Sequence, residues 1–274
     1  MSIGIIIVLV VAGLGAGIVT GLAGASAATV VTPLLVSFTP IAAYTAVAIS
    51  LITDVFASFF SFLTYRKAGN INIKDGIILT ITACIGAAFG SYISSFIDSR
   101  ALGSIGGIMT LVLGIKFLLN GLKVRKEFEK AKNDKDYVIP EKKQFKINGN
   151  PNVVSGIIGI FLGIICGVVG AGGGLMILFV LTSVLNYDTK TAIGTSVLIM
   201  TFTALTGGVS HFLHMEPINM ITLFIGMAIT SFSAVIGAKF SAKFANESTE
   251  DTLLIIVGAI FIVISVLMIL RKVL

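Results

Sequence analysis

The chain says the same thing twice. Gly13, Gly17, Gly21, Gly24 and Ala25 recur as Gly159, Gly163, Gly167, Gly170 and Ala171, every pair 146 positions apart. The same register carries Leu35/Leu181, Ser37/Ser183, Thr45/Thr191, Ala46/Ala192 and Ser50/Ser196. Both copies lie in long apolar surroundings, in a chain 56% hydrophobic and 12% charged with mean hydropathy +1.05. Soluble domains carry about a quarter charged residues, so this chain falls in the membrane class. A duplication within so apolar a chain is the signature of a secondary transporter built from two repeats.

Ten apolar segments can be counted, at 3–22, 27–38, 41–65, 73–97 and 101–122, then 152–170, 173–186, 189–213, 218–243 and 251–272. Most approach the ~20 residues that span about 30 Å of hydrocarbon as helix. The expected fold is therefore all-α and polytopic, with a first repeat over 1–122, a linker over 123–151 and a second repeat over 152–274. The apolar run at the N-terminus has no basic n-region and continues past any plausible cleavage point, so it reads as a retained span.

Charge sets the orientation. Between Lys123 and Lys146 stand nine Lys/Arg against five Asp/Glu, an excess that marks a cytoplasmic connection. Counting spans from there puts Arg66, Lys67, Lys74, Lys239 and Lys243 inside, and Asp98, Arg100 and Glu216 outside. Both termini then lie outside, against which Arg271 and Lys272 count mildly. Five segments per half is an odd number, so the halves insert upside down relative to each other if every segment crosses; a re-entrant half-crossing by each short segment is the alternative and changes the count. The basic residues show no interleaving with aromatics, and a nucleic-acid surface is not indicated.

The second and seventh segments are too short to span and follow Gly-rich breaks, Gly24-Ala25-Ser26 and Gly170-Ala171-Gly172-Gly173-Gly174. Short, Gly-interrupted segments at matching places in two halves point to a transporter's binding site. A helix that restarts within the bilayer presents free N–H groups and the positive end of its dipole, which hold oxyanions without side-chain charge. The competing reading is two glycine-permitted bends with no ligand. Neither cluster is followed by Gly-Lys-Ser/Thr, so a nucleotide P-loop is excluded. The other GxxxG spacings, including Gly86/Gly90, serve close helix packing.

Ser50, Asp54, Ser58, Ser61 and Tyr65 fall on one helical face at spacings of 4, 4, 3 and 4. Asp54 is the only acidic residue well inside a segment. A carboxylate there costs at least ~2.5–3.5 kcal/mol on insertion scales and must face a cavity or a partner. Two roles are open to it, a proton carrier or a neutral hydrogen-bonding group that fixes the bundle. The second half has Ser196, Met200, Ala204, Gly207 and His211 in the same register, so the acid has no acidic mate. Thr195, Thr203, Thr206 and Ser210 add hydroxyls beside that face.

Other candidates carry less chemistry. His211 and His214 are three apart near Glu216, the wrong spacing for a zinc pair. Cys84 and Cys166 lack CxxC or His partners and read as packing residues. Lys116 lies near the end of the fifth segment, where it can snorkel to the interface. No metal site, cofactor or hydrolytic triad is indicated, and the chain is not expected to be an enzyme.

Gly170-Ala-Gly-Gly-Gly, Thr191-Ala192-Ile193-Gly194-Thr195-Ser196 and His211, with the weaker copy Gly21-Leu-Ala-Gly24-Ala25-Ser26 and Thr45-Ala46-Val47-Ala48-Ile49-Ser50, resemble the sulfite exporter TauE/SafE family, also called the TSUP permeases. The resemblance covers nearly the whole chain. It implies a permease of the cytoplasmic membrane for small sulfur-containing anions such as sulfite, thiosulfate and organosulfonates. The expected seat is the backbone around Gly24–Ser26 and Gly170–Gly174, with Ser50, Thr195 and Ser196 bonding the anion's oxygens and Asp54 the candidate for proton coupling. A fixed-pore channel or sensory membrane protein is the alternative.

Overall fold

The computed structural model describes residues 3–41, 43–94, 99–133, 151–169, 173–213 and 220–273. Among these residues the only regular elements are ten α-helices: α1 (Ile3–Ala23), α2 (Ala28–Phe38), α3 (Ala43–Lys67), α4 (Ile73–Ser94), α5 (Ser99–Asn133), α6 (Pro151–Val169), α7 (Gly173–Ser183), α8 (Thr189–Leu213), α9 (Met220–Glu247) and α10 (Glu250–Val273). Each expected segment is one helix, and the protein is an all-α polytopic bundle. Five stretches, Ile3–Ala23, Thr45–Lys67, Ile73–Gly90, Thr189–Val209 and Met220–Glu247, are long and apolar enough to cross a bilayer. Their outward faces carry Phe, Ile and Val, among them Phe89, Phe232 and Phe240, as lipid contact requires.

Helix boundaries move most at α5. The expected segment closes at 122, yet the helix continues to Asn133 through the basic stretch. Lys, Arg and Glu are good helix formers, and Lys123–Glu127 and Arg125–Glu129 pair at i,i+4 at 3.8 and 3.6 Å.

Small residues set the packing. On α1, Gly13, Gly17 and Gly21 lie against the backbone of Thr230, Ala234 and Ala238 on α9, where any side chain would collide. On α6, Gly159 and Gly163 meet Leu79, Thr82 and Ala83 of α4 in the same way. In lipid the attraction between helices is close van der Waals contact, and glycine permits it. In both pairs residue numbers rise together, so the helices run parallel. In the repeat register α1 corresponds to α6 and α9 to α4, and each of these two pairings is the image of the other.

The α3–α9 contact likewise has the α8–α4 contact as its image, and two further large contacts map onto themselves. Helix α3 packs on its own counterpart α8 with Tyr65 beside Gly194, Ser58 beside Thr201 and Leu51 beside Gly207, numbers rising on one as they fall on the other. Helices α5 and α10 do the same, with Gly114 against Phe261 and Ile262, and Gly121 against Leu254 and Ile255. Equivalent helices packed antiparallel require a two-fold axis perpendicular to them. The repeats are inverted.

Between the parallel helices α1 and α3 the chain must turn back, and α2 makes that return in 11 residues. At one end of the bundle gather Lys67, Lys190, Lys239 and Lys243, together with a polar layer that joins the halves. Asn70 donates to Asn246 at 2.5 Å and the Asn72 N–H to Thr195 Oγ1 at 3.2 Å across the halves, while Lys190 Nζ donates to the Asn246 carbonyl at 2.6 Å within the second.

Candidate functional site

Helix α1 stops because Gly24 takes φ +58, the left-handed region that lets a chain leave a helix at little cost without a Cβ. The Gly24 N–H still donates to the Thr20 carbonyl at 2.9 Å, and the Thr20 hydroxyl donates to the Ala25 carbonyl at 2.9 Å. Backbone unwound in the apolar interior is thus kept satisfied.

The start of α2 is occupied by a side chain from another helix. The Ala27 N–H donates to Asp54 Oδ1 at 2.9 Å, and the Ser26 hydroxyl to Oδ2 at 2.6 Å. The next amides are also engaged: Ala28 N–H to Ser26 Oγ at 3.3 Å, Thr29 N–H to the Ser26 carbonyl and Val30 N–H to the Ala27 carbonyl, both at 3.1 Å. Asp54, 2% exposed, therefore lies across a helix N-terminus in the middle of the bundle. Charge-assisted hydrogen bonds contribute about 1.5–3 kcal/mol each and a favourable helix end up to ~2 kcal/mol. Together they offset part of the cost of placing the carboxylate there.

The rest of the polar face of α3 ties the same region together. Ser50 donates to the Val47 carbonyl at 2.7 Å and accepts from Thr32 of α2 at 3.1 Å. Ser58 donates to the Asp54 carbonyl at 2.5 Å and lies 3.1 Å from the Thr201 hydroxyl of α8. Tyr65, fully buried, donates to the Gly21 carbonyl at 2.8 Å near the end of α1. Ser61 is buried with no hydrogen-bond partner.

The two halves meet at their breaks. A Cβ on Gly174 would fall 2.5 Å from the Gly24 carbonyl oxygen and 3.1 Å from the Ser26 nitrogen. A Cβ on Gly24 would collide with the hydroxyl of buried Ser196, which itself donates to the Ile193 carbonyl at 2.8 Å. Beside Gly174 lies the sulfur of Met200. Met200 is the repeat counterpart of Asp54, and Gly174 that of Ala28, so the two helix starts are matched in place and different in chemistry.

Thus Gly24, Ala25, Ser26, Ser50, Asp54, Gly174 and Ser196 come together around the breaks. Thr195 faces elsewhere, accepting from Asn72 at the basic end. Gly173 opens α7; Gly170, Ala171 and Gly172, His214, Glu216 and the side chain of His211 lie outside the described residues. Lys116 donates to Ser183 at 3.1 Å and stands 4.3 Å from the centre of the Phe179 ring, held by α7.

A cluster that sequence reasoning missed sits at the basic end. Tyr187 OH donates to Asp75 Oδ2 at 2.5 Å, and Asn72 Nδ2 reaches Asp75 at 2.8 Å and Tyr187 OH at 2.9 Å. Asn72 also caps α4, accepting from the Asp75 N–H at 3.2 Å. Burial first, and then the bond to Asp75, holds the Tyr187 phenol above the usual tyrosine range. Asn72 three residues before Asp75 is a legible helix-start signal. Tyr187, 112 positions beyond Asp75, is reachable only in three dimensions.

An inverted two-fold bundle of spanning helices, interrupted where its halves touch, has the architecture of a polytopic membrane transporter. Comparison with known sequences places it further: the family model described as sulfite exporter TauE/SafE matches residues 9–272, and the chain belongs to that family. It is 25% identical to the probable membrane transporter protein YunE of Bacillus subtilis (strain 168) over 94% of this chain and 95% of that one. It is 27% identical to the probable membrane transporter protein YdhB of the same organism, over 82% and 86%. No solved structure matches the chain. The protein is an integral membrane transporter, as these likenesses indicate.

Proposed function

We propose that the chain is a multi-pass secondary transporter of the cytoplasmic membrane that carries small sulfur-containing oxyanions such as sulfite, thiosulfate or organosulfonates. The observation that carries this reading is the contact between the two breaks, Gly174 against the Gly24 carbonyl and the Ser26 amide. Two helix starts converging from opposite halves direct their positive ends at one interior locus, which favours an anion over a cation or a neutral solute. Backbone around Gly24–Ser26 and Gly170–Gly174 holds the anion, and Ser50 and Ser196 bond its oxygens. Residues 1–122 and 152–274 act as the two repeats, joined on the cytoplasmic side by 123–151. One repeat rocks against the other to expose the site alternately, and Asp54 couples the movement to protons.

The test is transport in proteoliposomes. Sulfite, thiosulfate and a sulfonate are offered as labelled solutes, with a dicarboxylate as control. Saturable uptake with counterflow is expected for at least one sulfur oxyanion. Ohmic conductance without counterflow would assign a fixed pore, and transport of the dicarboxylate alone would remove the substrate class.

A further inference from the structure

We propose that the carboxylate of Asp54 is a tethered competitor of the transported anion, seated where a substrate oxyanion would otherwise lie. This rests on the reading of the breaks as the anion site and assigns the first of them a different occupant from the second.

The geometry at α2 is that of a bound oxyanion. One carboxylate oxygen takes the backbone Ala27 N–H at 2.9 Å and the other takes the Ser26 hydroxyl at 2.6 Å, in a pocket where Ser26 is 4% and Asp54 2% exposed. The amides of Ala28, Thr29 and Val30 are already committed within the turn. An incoming anion can therefore engage Ala27 and Ser26 only by taking them from Asp54. At the matching place in the second half stands the uncharged thioether of Met200, against Gly174. Among the described residues no carboxylate reaches that helix start. The repeats supply two helix starts in register, and the first differs by carrying Ser26 where the second has Gly172 and Asp54 where the second has Met200, the pair that closes it from within.

Competition predicts a counterintuitive variant. Asp54→Asn keeps the shape and one acceptor oxygen but removes the charge. Two hydrogen bonds that lose charge assistance weaken together by about tenfold in affinity, which is ~1.4 kcal/mol. Repulsion between the tethered and the free anion disappears as well. Asp54→Asn should bind the transported anion more tightly than the parent, by at least about tenfold, while Asp54→Glu, which keeps the charge, should not.

The experiment is equilibrium binding of labelled sulfite and thiosulfate to the purified full chain, parent and both variants, at one pH. A thermal transition for each variant verifies folding. Anion-induced infrared difference spectra supply a second readout. In the parent, ligand addition should perturb a carboxylate band that is absent from the Asp54→Asn spectrum. Tighter binding in Asp54→Asn together with that band supports the proposal. Binding by the parent with equal or weaker binding in a folded Asp54→Asn overturns it and leaves the anion-permease reading standing. A ligand-bound parent whose carboxylate bands do not move also overturns it, as does failure of Asp54→Asn to fold when Asp54→Glu folds, which would make the acid a structural cap. No binding of either anion by the parent removes both readings at once.

Discussion

Asp54 and Gly24 occupy one small volume, and each constrains what can stand there. Gly24 cannot be replaced quietly. Its φ of +58 disfavours any L side chain by roughly 1–2 kcal/mol, and a Cβ would strike the Ser196 hydroxyl. Gly24→Ala is expected to lower stability by at least that amount, read as a lower thermal transition. Adding Ser196→Ala should recover only the steric share, so a double-mutant cycle separates clash from backbone strain. For Asp54 the expected functional signature is pH dependence. Helices α1 and α2 bring no ionisable side chain to it, and the lysines of α8 and α9 lie at the basic end. Cys166 of α6 lies within electrostatic reach of it. Asp54→Asn should therefore flatten the pH profile of transport while the protein still folds; an unaltered profile would end the coupling role.

Helices were legible because each level of signal agreed. Apolar length located all ten, the glycine breaks located the two short ones, and the 146-residue register said which helix answers which. The GxxxG spacings indicated close packing but could not name the partner: that α1 seats on α9, and α6 on α4, follows from the two-fold arrangement. In the site, the sequence placed Ser50, Asp54, Ser58 and Tyr65 on one face without their partners, since Ser26, Thr32 and Gly21 approach from helices that the turn at 24–27 folds back. Thr195 looked like a ligand by its neighbourhood to Ser196, yet adjacent helical residues point about 100° apart. Two predictions belong at this scale. Gly17→Val pushes a branched side chain into the Ala234 carbonyl and should destabilise the α1–α9 pair by ~1–3 kcal/mol, seen as a lower thermal transition. Tyr187→Phe should remove a late-ionising phenol from the alkaline absorbance titration. A tyrosine with a pKa raised above the unfolded value of about 10 contributes stability in full below that pH and loses it as pH rises through the raised one. The bond to Asp75 thus persists across the neutral range, and its loss in the variant should lower stability by about 1 kcal/mol.

Across the whole molecule, the inverted pairing of α1 on α9 and α6 on α4 makes an exchange of conformation between the repeats the expected route of alternating access. If the repeats exchange conformations, the arrangement now seen at one end reappears at the other, and the site opens to opposite sides in turn. Such an exchange must break the polar layer at the basic end, where Asn70, Asn72 and Asp75 of the first half hold Tyr187, Thr195 and Asn246 of the second. These are part-buried hydrogen bonds of about 0.5–1.5 kcal/mol each, and about 1.5–3 kcal/mol for the one to the Asp75 carboxylate, strong enough jointly to favour closure and weak enough to be reopened by ligand binding. Fixing them covalently should stop transport without touching the glycine breaks. In a background with Cys84 and Cys166 replaced by Ala, the pair Asn70→Cys and Asn246→Cys can be bridged by a short homobifunctional thiosulfonate. Turnover is expected to fall to background on bridging and to return on reduction, with substrate protection of the folded protein against heat retained throughout. Undiminished counterflow in the bridged protein would mean that the halves do not part at this end, and the rocking mechanism would have to give way to a pore that stays in place.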